Sequence, residues 1–177
     1  MKSRQKLTIY IVRGLLIALS LAAFVFIFRN ALANGEASAE QSYSLTIKVQ
    51  ETVGAINPSS PIATATGEDF ELLHACVRNM AHFLEYLFLG ACLFGAYLSY
   101  ANRENAYFFF VPVCLLYLTA ATDEYLQTLS GGRAAEFSDL VVDMTGAAIG
   151  MIVSLVIYAL VRLIAHGVAQ KKRQNKE

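Results

Sequence analysis

The chain has 177 residues, 56% of them hydrophobic, and its 14 basic residues are balanced by 14 acidic ones. That length suits one compact domain, and so apolar a composition places it among membrane proteins. A strand-built span is excluded, because lipid leaves open sheet edges unpaired and a barrel needs alternating segments of about 10 residues. Four apolar stretches stand out instead, at 7–28, 80–100, 106–126 and 141–165. Each is about 20 residues long, enough for a helix to cross about 30 Å of hydrocarbon. The predicted fold class is therefore all-α: a polytopic membrane protein of four transmembrane helices, with an extracytoplasmic segment between the first and the second.

Residues 1–29 form an N-terminal tail and the first span. Basic residues, an apolar run and the small-residue triplet Ala31-Leu32-Ala33 match the pattern of a cleaved leader. The apolar run exceeds the usual 7–15 residues of such leaders, which favours an uncleaved anchor. Either outcome leaves the next segment outside the cytoplasm.

Residues 30–79 are the long polar segment and are expected to carry amphipathic helices. From Ser42 to Ile56, apolar residues recur at Leu45, Val49, Val53 and Ile56. That near-helical spacing predicts an amphipathic helix lying on the outer membrane surface. Asn57-Pro58-Ser59-Ser60-Pro61 breaks it. A further helix is expected to start near Thr66 to Asp69, with acids in its first turn, and to run on into the second span.

Residues 80–177 hold the remaining three spans and a basic tail. Gly146 and Gly150 on the fourth span, with Ala91 and Gly95 on the second, have the small-xxx-small spacing that lets helix backbones approach closely. Packing within one bundle is the simpler use of these faces, and a homodimer through them is the other. Cys76, Cys92 and Cys114 have no zinc-site spacing. Those inside apolar spans act as small hydrophobes.

Placing the charges along the chain sets its orientation. Lys2, Arg4, Lys6, Arg13, Arg103, Arg162, Lys171, Lys172, Arg173 and Lys176 lie on one side with only Glu104 and Glu177. The other side is as strongly acidic. Excess Lys and Arg marks the cytoplasmic face, so both termini are expected inside the cell membrane. The basic tail follows an apolar span directly, which suits anionic lipid headgroups; no nucleic-acid partner is expected.

With that topology one polar constellation gathers near the outer boundary. The second span enters with Arg78, His82 and Glu85 at helical spacing, the third leaves with Asp123, Glu124 and Gln127, and the fourth re-enters with Asp139 and Asp143. Gly131-Gly132-Arg133 lies in the intervening loop. A charge at mid-bilayer costs about 2.5–3.5 kcal/mol on the lenient insertion scale, so such residues must pair, face water, or serve a site. Carboxylates outnumber bases here, which favours a shared proton, a bound cation or a basic ligand.

The runs RNMAHFLEYLFLG (Arg78 to Gly90) and DEYLQTLSGGRAAEFSDLVVDMTGAAIG (Asp123 to Gly150), with the four-span layout, resemble the VanZ-like family. That family is named for a low-level teicoplanin-resistance protein. The resemblance covers the last two thirds of the chain, with 80–177 as its VanZ-like core. It implies that His82, Glu85, Asp123, Glu124, Gln127, Arg133, Asp139 and Gly146 occupy the family's recurring positions. Asp143 departs from it, since members often carry Asn there, and segment 30–79 departs more.

Three functions remain open from the sequence. The first is a membrane protein that binds or alters an envelope lipid or lipid-linked cell-wall precursor, with Arg78 and Arg133 taking phosphate, and so lowers teicoplanin-type susceptibility. The second is an intramembrane enzyme with His82 as general base and a divalent metal among the carboxylates. No zinc-protease, nucleophile-elbow or phosphatase-like signature supports it. The third is a structural assembly subunit. Whether the chain is catalytic or binds a metal is left open, and no cofactor is expected.

Overall fold

The computed structural model describes residues 3–33, 35–102, 106–129 and 137–174. Its helices are α1 (Ser3–Ala31), α2 (Gly35–Ile56), α3 (Glu68–Tyr100), a 3-10 turn (Ala106–Phe109), α4 (Phe110–Leu129) and α5 (Phe137–Gln174). No strand occurs among the described residues. Among the described residues, four stretches are long and apolar enough to cross a membrane: Lys6–Ala31, Glu68–Tyr100, Ala106–Leu129 and Phe137–Val168. They contain the four predicted spans, and the all-α, four-span expectation holds.

Local chemistry explains the boundaries. The turn after α2 begins where Pro58 disfavours helix for Asn57, whose side chain accepts bonds from the Ser59 backbone and hydroxyl. Gly67 precedes α3 with φ +59°, a conformation that L side chains rarely adopt. Glu68, Asp69 and Glu71 then fill the first turn, complementing the helix dipole. From there α3 continues for 33 residues without a break, so the helix expected near Thr66 to Asp69 and the second span are one rod. Its far end is closed by α1: Arg13 donates twice to the Ser99 carbonyl and lies over the Tyr100 ring, 4.0 Å from its centroid. A cation at a helix C-terminus is favoured by the same dipole.

α3 and α5 make the closest pair. A Cβ added to Gly146 or Gly150 would collide with the carbonyl oxygens of Phe83 or Leu87, and one on Gly90 with that of Ala147. Ser154 Oγ also donates to the Ala91 carbonyl. The small-residue faces seen in the sequence are thus used inside this chain, between the second and fourth spans. Around that contact Ile27, Tyr86, Leu89, Leu116, Ala120 and Ala147 form the buried core. Outward faces remain apolar, as at Leu15 and Val25 on α1 and Val156 and Leu163 on α5. Exposed apolar surface on that scale is suited to lipid.

α2 departs from its predicted stripe. Thr46 is its fully buried residue, Val49 and Val53 are half-buried, and Leu45 and Ile56 are exposed. Polar contacts, rather than the apolar stripe alone, set the rotation. Ser42 Oγ lies 2.7 Å from His74 Nε2, Gln50 Nε2 donates to the Ile62 and Ala65 carbonyls, and Tyr43 packs on Phe70 and His74. α2 is thereby seated on the start of α3 and on the turn that joins them.

Candidate functional site

The C-terminal end of α1, the first half of α3, the end of α4 and the start of α5 meet at one end of the bundle, opposite Arg13. The α3 segment carries Arg78, His82 and Tyr86 four residues apart, so all three project from one face, with Glu85 beside them. No proline or glycine interrupts α3 before Gly90. The spacing therefore stays helical through the site.

Each neighbouring helix brings a partner to this face. Asn30 of α1 donates from Nδ2 to Glu85 Oε1 at 3.2 Å. Tyr86 Oη donates to Asp123 Oδ2 of α4 at 3.3 Å, and Gln127, one turn along, bonds to the same carboxylate. From α5, Asp139 Oδ2 lies 2.9 Å from Arg78 Nη2. One turn deeper Asp143, which is 0% exposed, places Oδ1 3.5 Å from His82 Nδ1. Among the described residues, neither Asp143 oxygen has a hydrogen-bond donor and His82 Nδ1 has no hydrogen-bond partner. One ligand-type atom from each of His82, Asp123 and Asp143 lies within 4.8 Å of the others.

A cleft of about 110 Å³ opens in front of this group, lined by Asn30, Arg78, His82, Glu85, Asp123 and Gln127. Ser38, Gln41, Ser42 and Leu45 of α2 line its other side. Ile27 and Glu85 also line a neighbouring apolar groove of about 480 Å³ that runs past Ala22, Phe26, Leu84 and Phe88 between α1 and α3. A polar chamber and an apolar trough thus share a border.

Of the residues singled out in the sequence, His82, Glu85, Asp123 and Gln127 line the cleft, while Asp139 and Asp143 stand buried behind Arg78 and His82. Glu124 is buried next to Asp123 but does not line the cleft. Arg133, with Gly131 and Gly132, lies outside the described residues. Beyond the α2 side of the cleft, two participants in the polar contacts were missed. Tyr86 had a signal, since it follows His82 by four residues and a buried tyrosine hydroxyl needs a partner. Asn30 had none beyond being polar at the end of an apolar span.

Among the described residues of this group, Glu85, Asp123, Glu124, Asp139 and Asp143 face only Arg78 and a titratable His82. Such an arrangement can take up a cation or a proton, or hydrogen-bond a polar headgroup through Asn30, Gln127 and Arg78.

The VanZ/LLP1 family model matches residues 15–160 of the chain. No curated protein and no solved structure matches it.

Proposed function

The chain belongs to the VanZ-like family of membrane proteins, and from that premise we propose that it binds the headgroup of an envelope lipid or lipid-linked cell-wall precursor. The acyl portion rests in the groove beside Phe26 and Phe88. In this reading the protein sits in the cell membrane with both termini in the cytoplasm, holds the precursor near the outer boundary, and so lowers susceptibility to teicoplanin-type glycopeptides. The observation that carries it is the shared border at Ile27 and Glu85, which joins a polar cleft to an apolar groove. An amphiphile has that shape. Arg78, held by Asp139 through one guanidinium nitrogen, is the base in the described cleft that suits a phosphate.

The test is native mass spectrometry of detergent-purified protein, alongside teicoplanin susceptibility of cells expressing it. Wild-type protein should carry an envelope lipid and lower susceptibility. The double variant Arg78→Gln/Asp139→Asn, which removes the pair together and strands neither charge, should stay folded and lose both. A wild-type protein free of lipid and without effect on susceptibility sinks the reading.

A structural role for the polar set is the second reading. It is favoured by the Arg78–Asp139 and Tyr86–Asp123 contacts, which tie α3 to α5 and α4. In that case the same double variant lowers the melting temperature and leaves lipid content unchanged.

A further inference from the structure

Behind the cleft stands a group that headgroup binding does not use. Asp143 is wholly buried, neither of its oxygens has a hydrogen-bond donor among the described residues, and one of them lies beside His82 and Asp123. A buried carboxylate normally collects donors, because stripping it of water without replacement costs several kcal/mol. His82 Nδ1 approaches Asp143 to 3.5 Å yet has no hydrogen-bond partner among the described residues. Unpartnered ligand atoms from α3 and α5 thus converge with a carboxylate oxygen of Asp123 on α4.

We propose that His82, Asp123 and Asp143 form a binding site for one divalent transition-metal ion, of the Zn²⁺ or Mn²⁺ type. One imidazole and two carboxylates make a mixed nitrogen–oxygen set, which these ions accept; Ca²⁺ and Mg²⁺ prefer oxygen alone. The ligand atoms already lie within 4.8 Å of one another. Bonds of about 2.0–2.2 Å to a central ion draw such atoms together by roughly an ångström, within the reach of side-chain rotation. Asp143 can supply one oxygen or both. Tyr86, donating to Asp123, supplies the outer-shell hydrogen bond that orients a ligating carboxylate. His82 and Asp123 line the cleft whereas Asp143 does not, so the open coordination positions face the cleft. The ion offsets the surplus of carboxylates that Arg78 alone leaves. The sequence leaves metal binding open, because these three residues come together only through the packing of three helices.

The proposal stands on the geometry of these side chains and not on what enters the cleft. Its test reads metal with no lipid substrate added, so its failure leaves the headgroup reading standing. Full-length protein purified without a histidine tag is stripped with chelator, checked for folding by circular dichroism, and titrated with Zn²⁺ and separately Mn²⁺. One equivalent should bind, and Asp143→Asn should weaken binding on the order of 100-fold, the upper range for losing even an outer-shell partner. X-ray absorption of the zinc-loaded wild type should show a nitrogen–oxygen shell with imidazole scattering, which keeps the test decisive if Asp143→Asn does not fold. Stripped, folded wild type that takes up neither ion overturns the proposal. So does a bound shell lacking imidazole, or wild-type affinity in Asp143→Asn.

Discussion

Arg78 on α3 reaches across to Asp139 on α5 with 2.9 Å between nitrogen and oxygen, and the two differ in burial: the acid side chain is 5% exposed, the arginine 32%. Removing the arginine strands a buried carboxylate, whereas removing the acid leaves a cation that still touches the cleft. We expect Arg78→Gln to destabilise the bundle by about 1.5–3 kcal/mol, the range for a hydrogen bond to a charged group. Asp139→Asn should cost less. Combined in a double-mutant cycle followed by denaturant unfolding in micelles, the two should cost less than their sum. Strict additivity would show a contact without coupling.

The α3–α5 contact is tighter than side chains allow, and that gives a second expectation. At Gly150 an added Cβ would sit 2.7 Å from the Ala91 backbone nitrogen as well as against the Leu87 carbonyl. Backbone cannot yield as a side-chain tip can. Gly150→Ala and Gly146→Ala should each destabilise by roughly 1–3 kcal/mol or more, as overpacked cores do. Gly167, also in α5, has nothing within 4 Å of its added Cβ. There alanine should be neutral or stabilising by up to about 1 kcal/mol, from the helix preference alone. Thermal unfolding of the three variants checks the contrast, and equal effects would refute close packing as its cause.

Tyr86 is 0% exposed, and its hydroxyl donates to Asp123. Tyr86→Phe keeps the ring packed and removes only the donor. Asp123 then loses a partner in a dry setting, at a cost of about 1–3 kcal/mol. If Asp123 ligates a metal, the same change should weaken metal affinity by about 10–100-fold, as loss of an outer-shell hydrogen bond does. Melting temperature and metal titration on one preparation read both effects. A variant unchanged in stability shows that the 3.3 Å contact is too long to contribute.

These residues also mark what the sequence made legible. The spans could be read because hydrophobic length is a local property, and Arg78, His82 and Glu85 because helical spacing converts sequence separation into a shared face. Asp139 and Asp143 followed by the same rule. Which acid meets which base could not be read. Spacing fixes the face of each helix but not its rotation against neighbours, and that rotation here follows from glycine contacts between α3 and α5. Glu124 shows the limit: adjacent to Asp123 in sequence, it does not line the cleft. Thr46 shows another, since the apolar stripe predicted for α2 gave way to hydrogen bonds from Ser42 and Gln50.

The last expectation concerns sidedness. Four antiparallel spans put the start of α1 and the end of α5 at one end of the bundle and the cleft at the other, so one orientation measurement places both. The basic residues at the terminal end, Lys6 and Arg13 early and Arg162 and Lys171 late, favour the cytoplasm by the positive-inside rule. The cleft end carries Glu68, Asp69 and Glu71 at the start of α3, with Glu40 and Glu51 on α2. Acids count for little in that rule, so the argument rests on the Lys and Arg asymmetry. Cysteine labelling in intact cells reads it, after Cys76 and Cys114, both exposed, are changed to serine; Cys92 is buried. Single cysteines introduced at Gly35 and Gly131 should react with an impermeant maleimide from outside, and one at Gln174 only after permeabilisation. Reaction at Gln174 in intact cells would turn the cleft toward the cytoplasm. The headgroup reading would then need an inner-leaflet lipid, and an effect on an antibiotic acting outside the membrane would lose its route. The proposed His82–Asp123–Asp143 metal site would survive that outcome, because nothing in its geometry depends on which side it faces.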